Sequence, residues 1–197
     1  MPTGYLREPI SNINRTDIVV VTKCEEDMKP IDFRIIEENM KLRAHQLLFF
    51  TSIVYGKVKP VFPSKACFLN HKNIGKEDDI LLISGIAAPA PFIREAEKYS
   101  NKVVPMVFPD HHMFSKSDFK KLEAVFEKMT SSGKLILVTE KDAARLKNNP
   151  LVPESWKNFL YYLPIVIRFC NGQSFDETIK KHIITFSKNN ILQNKYE

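Results

Sequence analysis

Residues 103–112 give the clearest indication of the fold, and they read Val103-Val104-Pro105-Met106-Val107-Phe108-Pro109-Asp110-His111-His112. Its first six residues form an apolar run, which predicts a buried β-strand. An acid and two imidazoles follow directly at the carboxyl end of that strand. Open α/β sheets place their ligands outside the carboxyl ends of the strands, so chemistry is expected at this turn.

Strand and helix patterns alternate on both sides of this turn. Predicted strands cover residues 80–84, 103–108, 135–139 and 161–169, and helices begin near Pro91, Ser115, Glu140 and Ser174. At Ser115, an acid three residues later, Asp118, predicts a variant of the capping box. This alternation is typical of a mostly parallel sheet covered by helices. We therefore predict an α/β fold, with a lobe over residues 80–190 and a tail at 191–197.

The region before residue 80 has a different pattern. A strand is predicted over residues 17–23, and helical spacing of apolar residues continues from 30 to 50. Apolar runs then flank Gly56-Lys57, which predicts a β-hairpin, and Pro60 places its second strand at a sheet edge. The predicted boundaries are a loop, strand and helix at 1–47, and a hairpin with a connector at 48–79.

Composition and charge limit the classes of partner. The net charge of +6 over 197 residues suits phosphorylated ligands or an anionic membrane surface. No nucleic-acid-binding motif is present, and no binding to nucleic acid is predicted.

The three cysteines are widely spaced and form no CxxC motif, which favours a reducing, cytoplasmic setting. No apolar run is long enough to predict a membrane-spanning helix, so we expect a soluble chain.

Four polar clusters lie in the opening loop or at predicted strand ends: Arg7-Glu8, Thr22-Lys23, Asp110-His111-His112 and Thr139-Glu140-Lys141-Asp142. Each also has a structural explanation. Arg7 and Glu8 can form a surface ion pair, and Lys23 can be a solvated strand terminus. Thr139 with Asp142 matches a helix N-cap followed by an acid that complements the helix dipole.

The Asp110-His111-His112 turn leaves three interpretations open. A metal-dependent hydrolase needs further ligands, and the other histidines show no ligand spacing. An imidazole can instead orient a carboxylate or relay a proton for it. In the third interpretation, the turn only caps a helix of a non-catalytic binding or regulatory module. The chain has no GxxxxGK[ST] phosphate loop and no GxGxxG or GxSxG motif.

In this order, the clusters resemble the tetraacyldisaccharide 4'-kinase family of lipid A biosynthesis. The matching strings are Leu6-Arg7-Glu8-Pro9, Val21-Thr22-Lys23, Gly85-Ile86-Ala87-Ala88-Pro89, Phe108 to His112, and Thr139 to Leu146. Ala88 stands where the family commonly has asparagine. The resemblance spans about residues 2–190.

The resemblance implies a lipid kinase that uses ATP and Mg²⁺ to phosphorylate the 4'-hydroxyl of tetraacyldisaccharide 1-phosphate. It implies action at the cytoplasmic face of the bacterial inner membrane, on a disaccharide lipid substrate and beside an anionic membrane surface. Family members carry an upstream lobe with a P-loop, an acidic Mg²⁺ site and the presumed catalytic aspartate. We therefore expect this chain to be the C-terminal portion, inactive without that lobe, which would bind most of the ATP and Mg²⁺.

The resemblance also assigns roles to residues. Asp110, His111 and His112 are the expected catalytic residues, with one histidine, most favourably His111, supporting the upstream aspartate. Contacts with the nucleotide are expected from Arg7, Glu8 and Lys23, whereas no metal ligand is predicted in this chain. Supporting roles fall to the residues of the last motif, Thr139, Glu140, Lys141, Asp142 and Arg145.

Overall fold

The computed structural model describes residues 8–25, 27–65, 74–131, 133–170, 174–181 and 183–184. These residues form two compact units. One comprises the described residues of Met1–Val54 and Ile167–Glu197, and the other comprises those of Tyr55–Val166. This division differs from the predicted boundaries after residues 47 and 79, because a strand late in the chain belongs to the first sheet.

The regular elements alternate along most of the chain. The strands are β1 (Ile18–Cys24), β2 (Leu47–Tyr55), β3 (Lys59–Pro60), β4 (Asp79–Ser84), β5 (Lys102–Val107), β6 (Lys134–Thr139), β7 (Leu160–Leu163) and β8 (Ile165–Phe169). The helices are α1 (Pro30–Met40), α2 (Ala90–Glu97), α3 (Lys116–Glu127) and α4 (Glu140–Lys147). Within the described residues, no helix is both long and apolar enough to cross a membrane.

The first unit contains a three-stranded sheet in the order β1-β2-β8, in which β1 and β2 run parallel. Helix α1 connects these two strands, and its Phe33 packs edge-on against Phe50 of β2 at 4.8 Å. The predicted helix over 30–50 is wrong beyond Met40. Lys41 adopts a left-handed backbone with φ of 48°, which ends the helix, and the apolar residues from Leu47 onward pair with β1 instead.

The predicted hairpin around Gly56-Lys57 is also wrong. Strand β2 lies in the first sheet, whereas β3 pairs antiparallel with β7 in the second. Two successive apolar runs separated by a glycine have the same pattern whether they pair with each other or with other strands. Pro60 does lie on an edge strand, as predicted, where its missing N–H costs no ladder bond.

The second unit is built on a five-stranded sheet in the order β3-β7-β6-β4-β5. Strands β4 to β7 are parallel, and only β3 is antiparallel, which confirms the α/β fold class with a mostly parallel sheet. The strand predicted over 161–169 is divided at Pro164 into β7 and β8, which belong to different sheets.

The strand order reverses between β4 and β6. From β4 the chain crosses to β5 on one side, and then returns to place β6 on the other side of β4. Such a reversal is a topological switch point, and it opens a crevice at the carboxyl ends of the two strands.

Helices cover both faces of this sheet. Alternate residues of the central strands point to opposite faces, so that Leu81 packs with α3 and α4 while Leu82 packs with α2. The prediction of a buried strand at 103–108 needs correction, because β5 is the other edge strand. Val104 and Val107 are 39% and 50% exposed.

Candidate active site

Polar side chains gather at the carboxyl ends of β4, β5 and β6 in the second unit. Strand β4 leads into Gly85, β5 into the turn Asp110-His111-His112, and β6 directly into α4. Because these strands are parallel neighbours in the order β6-β4-β5, their ends lie side by side. A hydrogen bond of 2.7 Å from Phe108 N to Ser84 O joins the start of the turn to the end of β4.

The backbone separates the two adjacent histidines. His111 has a φ of 62°, in the left-handed region that non-glycine residues rarely occupy. Such strained positions are concentrated at functional sites. Here the change of direction sends the rings of His111 and His112 into different surroundings.

His111 is the exposed member of the pair, with 74% of its side chain accessible. Two cations from α4 approach its ring. Arg145 Nη2 lies 3.1 Å from His111 Nδ1, and Lys141 Nζ lies 3.5 Å from His111 Nε2. Asp110 Oδ2 is 3.6 Å from the same Nε2.

Asp110 ties this turn to α4. Its Oδ1 accepts a hydrogen bond of 2.7 Å from Lys141 Nζ and one of 3.0 Å from the backbone N of His111. The bond from Lys141 is the main reason that the pKa of Asp110 lies below its ordinary value. The turn and the helix therefore bring together a polar cluster of Asp110, His111, Lys141 and Arg145, in which His111 is exposed and Arg145 is only 28% accessible.

His112 has a different environment, at the start of α3. Its ring stacks on Phe108, with centroids 4.8 Å apart, and its Nε2 lies 3.0 Å from Asp118 Oδ2. The same carboxylate oxygen accepts hydrogen bonds from the backbone N and the Oγ of Ser115, completing the capping box predicted for this helix. The bonds from Ser115, and then that from His112, lower the pKa of Asp118 to about 2.

Asp142 is the buried acid of the site, with no exposed surface. Its Oδ2 accepts hydrogen bonds of 2.9 Å from Gly85 N and of 2.7 Å from Thr139 Oγ1. The Thr139 hydroxyl also accepts the backbone N–H of Asp142 at 3.1 Å, so the predicted N-cap is observed. Asp142 thus joins the ends of β4 and β6 across the switch point, and its Oδ1 lies 3.6 Å from Arg145 Nη1.

Glu140 and Gly85 complete the frame around α4. Glu140 Oε2 accepts the backbone N–H of Ile165 at 3.1 Å, which fixes the first turn of α4 to the residues after β7. Gly85 leaves room for the buried carboxylate, because a Cβ added there would lie 3.2 Å from Asp142 Oδ1.

The residues predicted to contact a nucleotide lie in the first unit or outside the described residues. Arg7 lies outside them. Glu8 accepts hydrogen bonds from Arg15 Nη2 at 2.7 Å and from Asn12 Nδ2 at 2.9 Å, at an exposed position. Lys23 is exposed at the end of β1 with a φ of 60°, and it lines a cavity of about 530 Å³ together with Lys29 and Asp32.

Sequence reasoning missed two contacts of this site. The capping motif at Ser115 was visible in the sequence, but its link to His112 was not, although the histidine precedes the cap by only three residues. Gly85 was noted as part of a motif, yet nothing in the sequence pairs it with Asp142, 57 residues later. The contact between His112 and Asp118 spans only six residues, whereas that between Gly85 and Asp142 joins segments that meet only in the folded sheet.

Metal-ligand geometry is limited in this part of the protein. Across the described residues, no three His, Cys, Asp or Glu side chains converge so as to hold a metal ion. At the Asp110-His111-His112 turn, one imidazole faces α4 and the other faces the capping box of α3.

Comparison with known proteins identifies relatives over nearly the whole chain. The family model described as tetraacyldisaccharide-1-P 4'-kinase matches residues 1–184. A tetraacyldisaccharide 4'-kinase of Parabacteroides distasonis is 47% identical over 191 residues, which cover 96% of this chain and 52% of that protein. Another from Bacteroides thetaiotaomicron is 38% identical over 202 residues, covering 100% of this chain and 53% of the relative.

A solved structure shares the fold. The crystal structure of an "apo" form of LpxK from Aquifex aeolicus in complex with ATP matches with a TM-score of 0.51 and 20% identity. The match covers 94% of this chain and 47% of that one. The chain thus spans about half the length of the curated relatives it matches.

Proposed function

The chain belongs to the tetraacyldisaccharide-1-P 4'-kinase family, and we propose that it forms the C-terminal part of an enzyme that phosphorylates the 4'-hydroxyl of tetraacyldisaccharide 1-phosphate in lipid A biosynthesis. The observation that carries this proposal is the family match over residues 1–184. Because the chain spans about half the length of its relatives, it is inactive alone in this proposal.

The proposed reaction is a direct phosphoryl transfer from ATP. The 4'-oxygen of the sugar forms a bond to the γ-phosphorus while the bond from that phosphorus to the β,γ-bridging oxygen breaks, releasing ADP. The hydroxyl proton passes to a carboxylate supplied by the rest of the enzyme. Such reactions depend mainly on positioning and on stabilising charge, which is the kind of help that a polar cluster can give.

His111 is the residue that we assign to support this carboxylate. It is exposed, it lies at the carboxyl ends of the parallel strands, and Asp110, Lys141 and Arg145 surround its ring. His112, the other candidate, is engaged by Asp118 and stacked on Phe108. These contacts favour His111 for the proton-handling role and His112 for the positioning of the turn.

ATP and Mg²⁺ are the cofactors that we assign to the complete enzyme. Proteins usually hold Mg²⁺ through one or two carboxylates together with substrate phosphates. In this proposal, the rest of the enzyme, about half of the length of the relatives, binds most of the nucleotide and the metal. Arg7, Glu8 and Lys23 add contacts to the nucleotide.

The substrate and the charge of the chain suggest where the enzyme acts. A disaccharide that carries four acyl chains resides in a membrane, and a net charge of +6 favours approach to an anionic membrane surface. We place the enzyme at the cytoplasmic face of the inner membrane, where ATP is supplied.

A chimera tests the proposed function. This chain replaces the matching 191 residues of the Parabacteroides distasonis relative, and transfer of ³²P from [γ-³²P]ATP to tetraacyldisaccharide 1-phosphate is measured. We expect product from the chimera and none from the 197-residue chain alone. A folded chimera that binds ATP but forms no phosphorylated lipid would contradict the kinase assignment.

One observation favours a second candidate, a non-catalytic binding module. His112 completes the capping box of α3 through Asp118, as a purely structural turn would. If the chain is such a module, replacing His111 or His112 should not change turnover in the chimera. An activity loss on replacing His111 alone would exclude it.

A further inference from the structure

We propose that Arg145 is a positioning residue that holds the imidazole of His111 in the tautomer with its proton on Nε2, and that the buried carboxylate of Asp142 anchors Arg145 for this task. The effect on the hydrogen-bonding state of His111 concerns this chain alone. Only the catalytic consequence rests on the proposed function.

The hydrogen-bonding capacity of arginine determines the tautomer. A guanidinium can donate but cannot accept, so the 3.1 Å contact from Arg145 Nη2 requires a lone pair on His111 Nδ1. In a neutral imidazole the remaining proton is then on Nε2. The Nε2 atom that carries this proton lies 3.6 Å from Asp110 Oδ2.

Lys141 offers the competing arrangement. Its Nζ lies 3.5 Å from His111 Nε2, and donation there would leave the proton on Nδ1, facing the guanidinium. The distances decide between the two. A separation of 3.1 Å is within the range of good N–H···N bonds, whereas 3.5 Å is at its limit. Lys141 also has a better acceptor in Asp110 Oδ1, at 2.7 Å.

Asp142 explains why Arg145 stays in place. Among the described residues, Asp142 Oδ1 and Arg145 Nη1 are buried atoms without a hydrogen-bond partner, and they lie 3.6 Å from each other. A fully buried carboxylate needs a nearby opposite charge, and this guanidinium supplies it. The other carboxylate oxygen is fixed by Gly85 and Thr139, so the guanidinium is held against the frame of the sheet.

The arrangement links the switch point to the exposed histidine. The carboxylate that joins β4 to β6 holds the arginine, and the arginine orients the imidazole after β5. In the proposed enzyme, the Nε2–H of His111 is thereby available as a donor to the carboxylate that receives the substrate proton. A hydrogen bond from a fixed donor orients that carboxylate for the transfer.

Nitrogen NMR of this chain tests the tautomer directly. Long-range ¹H–¹⁵N correlation spectra are recorded at about pH 8.5, two units above the ordinary histidine pKa of about 6.5, and His111 is assigned with a His111→Gln variant. We expect the ¹⁵N chemical shift of Nδ1 to be that of an unprotonated nitrogen and the shift of Nε2 to be that of a protonated nitrogen. The opposite pattern would assign the donor role to Lys141 and overturn the proposal.

Variants then separate the two cations. Arg145→Met removes the donor but leaves the buried carboxylate of Asp142 without its opposite charge. The main test is therefore the double variant Arg145→Met with Asp142→Asn, which removes both buried charges together. In this double variant, the ¹⁵N chemical shifts of His111 Nδ1 and Nε2 should move towards the values of a solvated imidazole. Lys141→Met should leave them unchanged. Unchanged shifts in the folded double variant would refute the role of Arg145.

The catalytic consequence is measured in the active chimera. Misplacement of a catalytic group by about 1 Å can cost about 10²-fold in rate, so the double variant should lose about that factor in kcat, with KM for ATP nearly unchanged. Lys147→Gln, on the same helix, should keep full kcat. Full kcat in the double variant would overturn the positioning role. An inactive parent chimera would instead reject the proposed function, and the NMR result would still decide the tautomer.

Discussion

The capping box of α3 offers a quantitative test of how the Asp110-His111-His112 turn is held. Asp118 Oδ2 accepts hydrogen bonds from Ser115 N at 2.8 Å and Ser115 Oγ at 2.7 Å, and His112 Nε2 lies 3.0 Å away. Together these partners lower the pKa of Asp118 from 3.8 to about 2. Asp118→Asn keeps an acceptor oxygen but removes the charge that these partners stabilise.

The pKa difference gives the expected size and sign of the effect. The folded pKa lies below the unfolded value, so the charge stabilises the fold above about pH 4, and this stability is lost as the pH falls through about 2. One pKa unit corresponds to about 1.4 kcal/mol, so a shift of nearly two units amounts to about 2.5 kcal/mol, which solvent screening at this surface position reduces to about 2 kcal/mol at pH 7. When the pH dependence of the two protonation equilibria is integrated, about half of this stabilisation remains at pH 3.

Urea unfolding followed by circular dichroism measures this difference. We expect Asp118→Asn to lower the free energy of unfolding by about 2 kcal/mol at pH 7 and by about half as much at pH 3. Glu123→Gln in the same helix removes a charge away from the box and should change it by less than about 0.5 kcal/mol. An equal loss at both pH values, or no loss at pH 7, would show that the charge of Asp118 does not stabilise the turn.

Two further predictions concern the histidines and Gly85. His111→Ala should lower kcat of the chimera by about 10²-fold or more, with little change in the midpoint of urea unfolding. His112→Ala should mainly lower the midpoint of urea unfolding. The reverse pattern in the kinase and unfolding assays would exchange the roles of the two histidines. Gly85→Ala places a Cβ 3.2 Å from Asp142 Oδ1 and should lower the free energy of unfolding in urea by about 1–3 kcal/mol. Ala87→Ser, at an exposed position of the same loop, should leave the free energy of unfolding unchanged. A Gly85→Ala variant as stable as the parent would show that the loop shifts at little cost.

Local signals in the sequence predicted most of the second unit. The apolar runs at 80–84 and 135–139 became β4 and β6, and Ser115 with Asp118 became the capping box of α3. These predictions were confirmed because the signals act over a few residues, through side-chain alternation, capping and the fixed φ of proline.

The wrong predictions concern partners rather than propensities. The apolar residues at 47–50 continue a helical spacing from α1, but they pair with β1, 29 residues earlier. The two runs around Gly56 each form a strand, yet in different sheets. Whether β5 is buried depends equally on its position in the strand order, which no local pattern encodes.

The candidate site shows the same division. Sequence alone placed Asp110, His111, Thr139 and Asp142 at strand ends, and motif order indicated the family. It left His111 and His112 nearly equivalent as candidates, because adjacent residues share their sequence context. Folding separated them: the backbone at His111 turns left-handed, and the two rings meet different partners.

The α/β class, most elements of the second unit, the family resemblance and the polar residues of the candidate site could therefore be predicted from the sequence. The strand order, the contact of Asp142 with Gly85 and the different surroundings of the two histidines follow only from the folded chain. Capping, periodicity, turn chemistry and the contact of Asp142 with Arg145 three residues later act between near neighbours. The hydrogen bond from Gly85 to Asp142 forms only when strands far apart in sequence bring the two residues together.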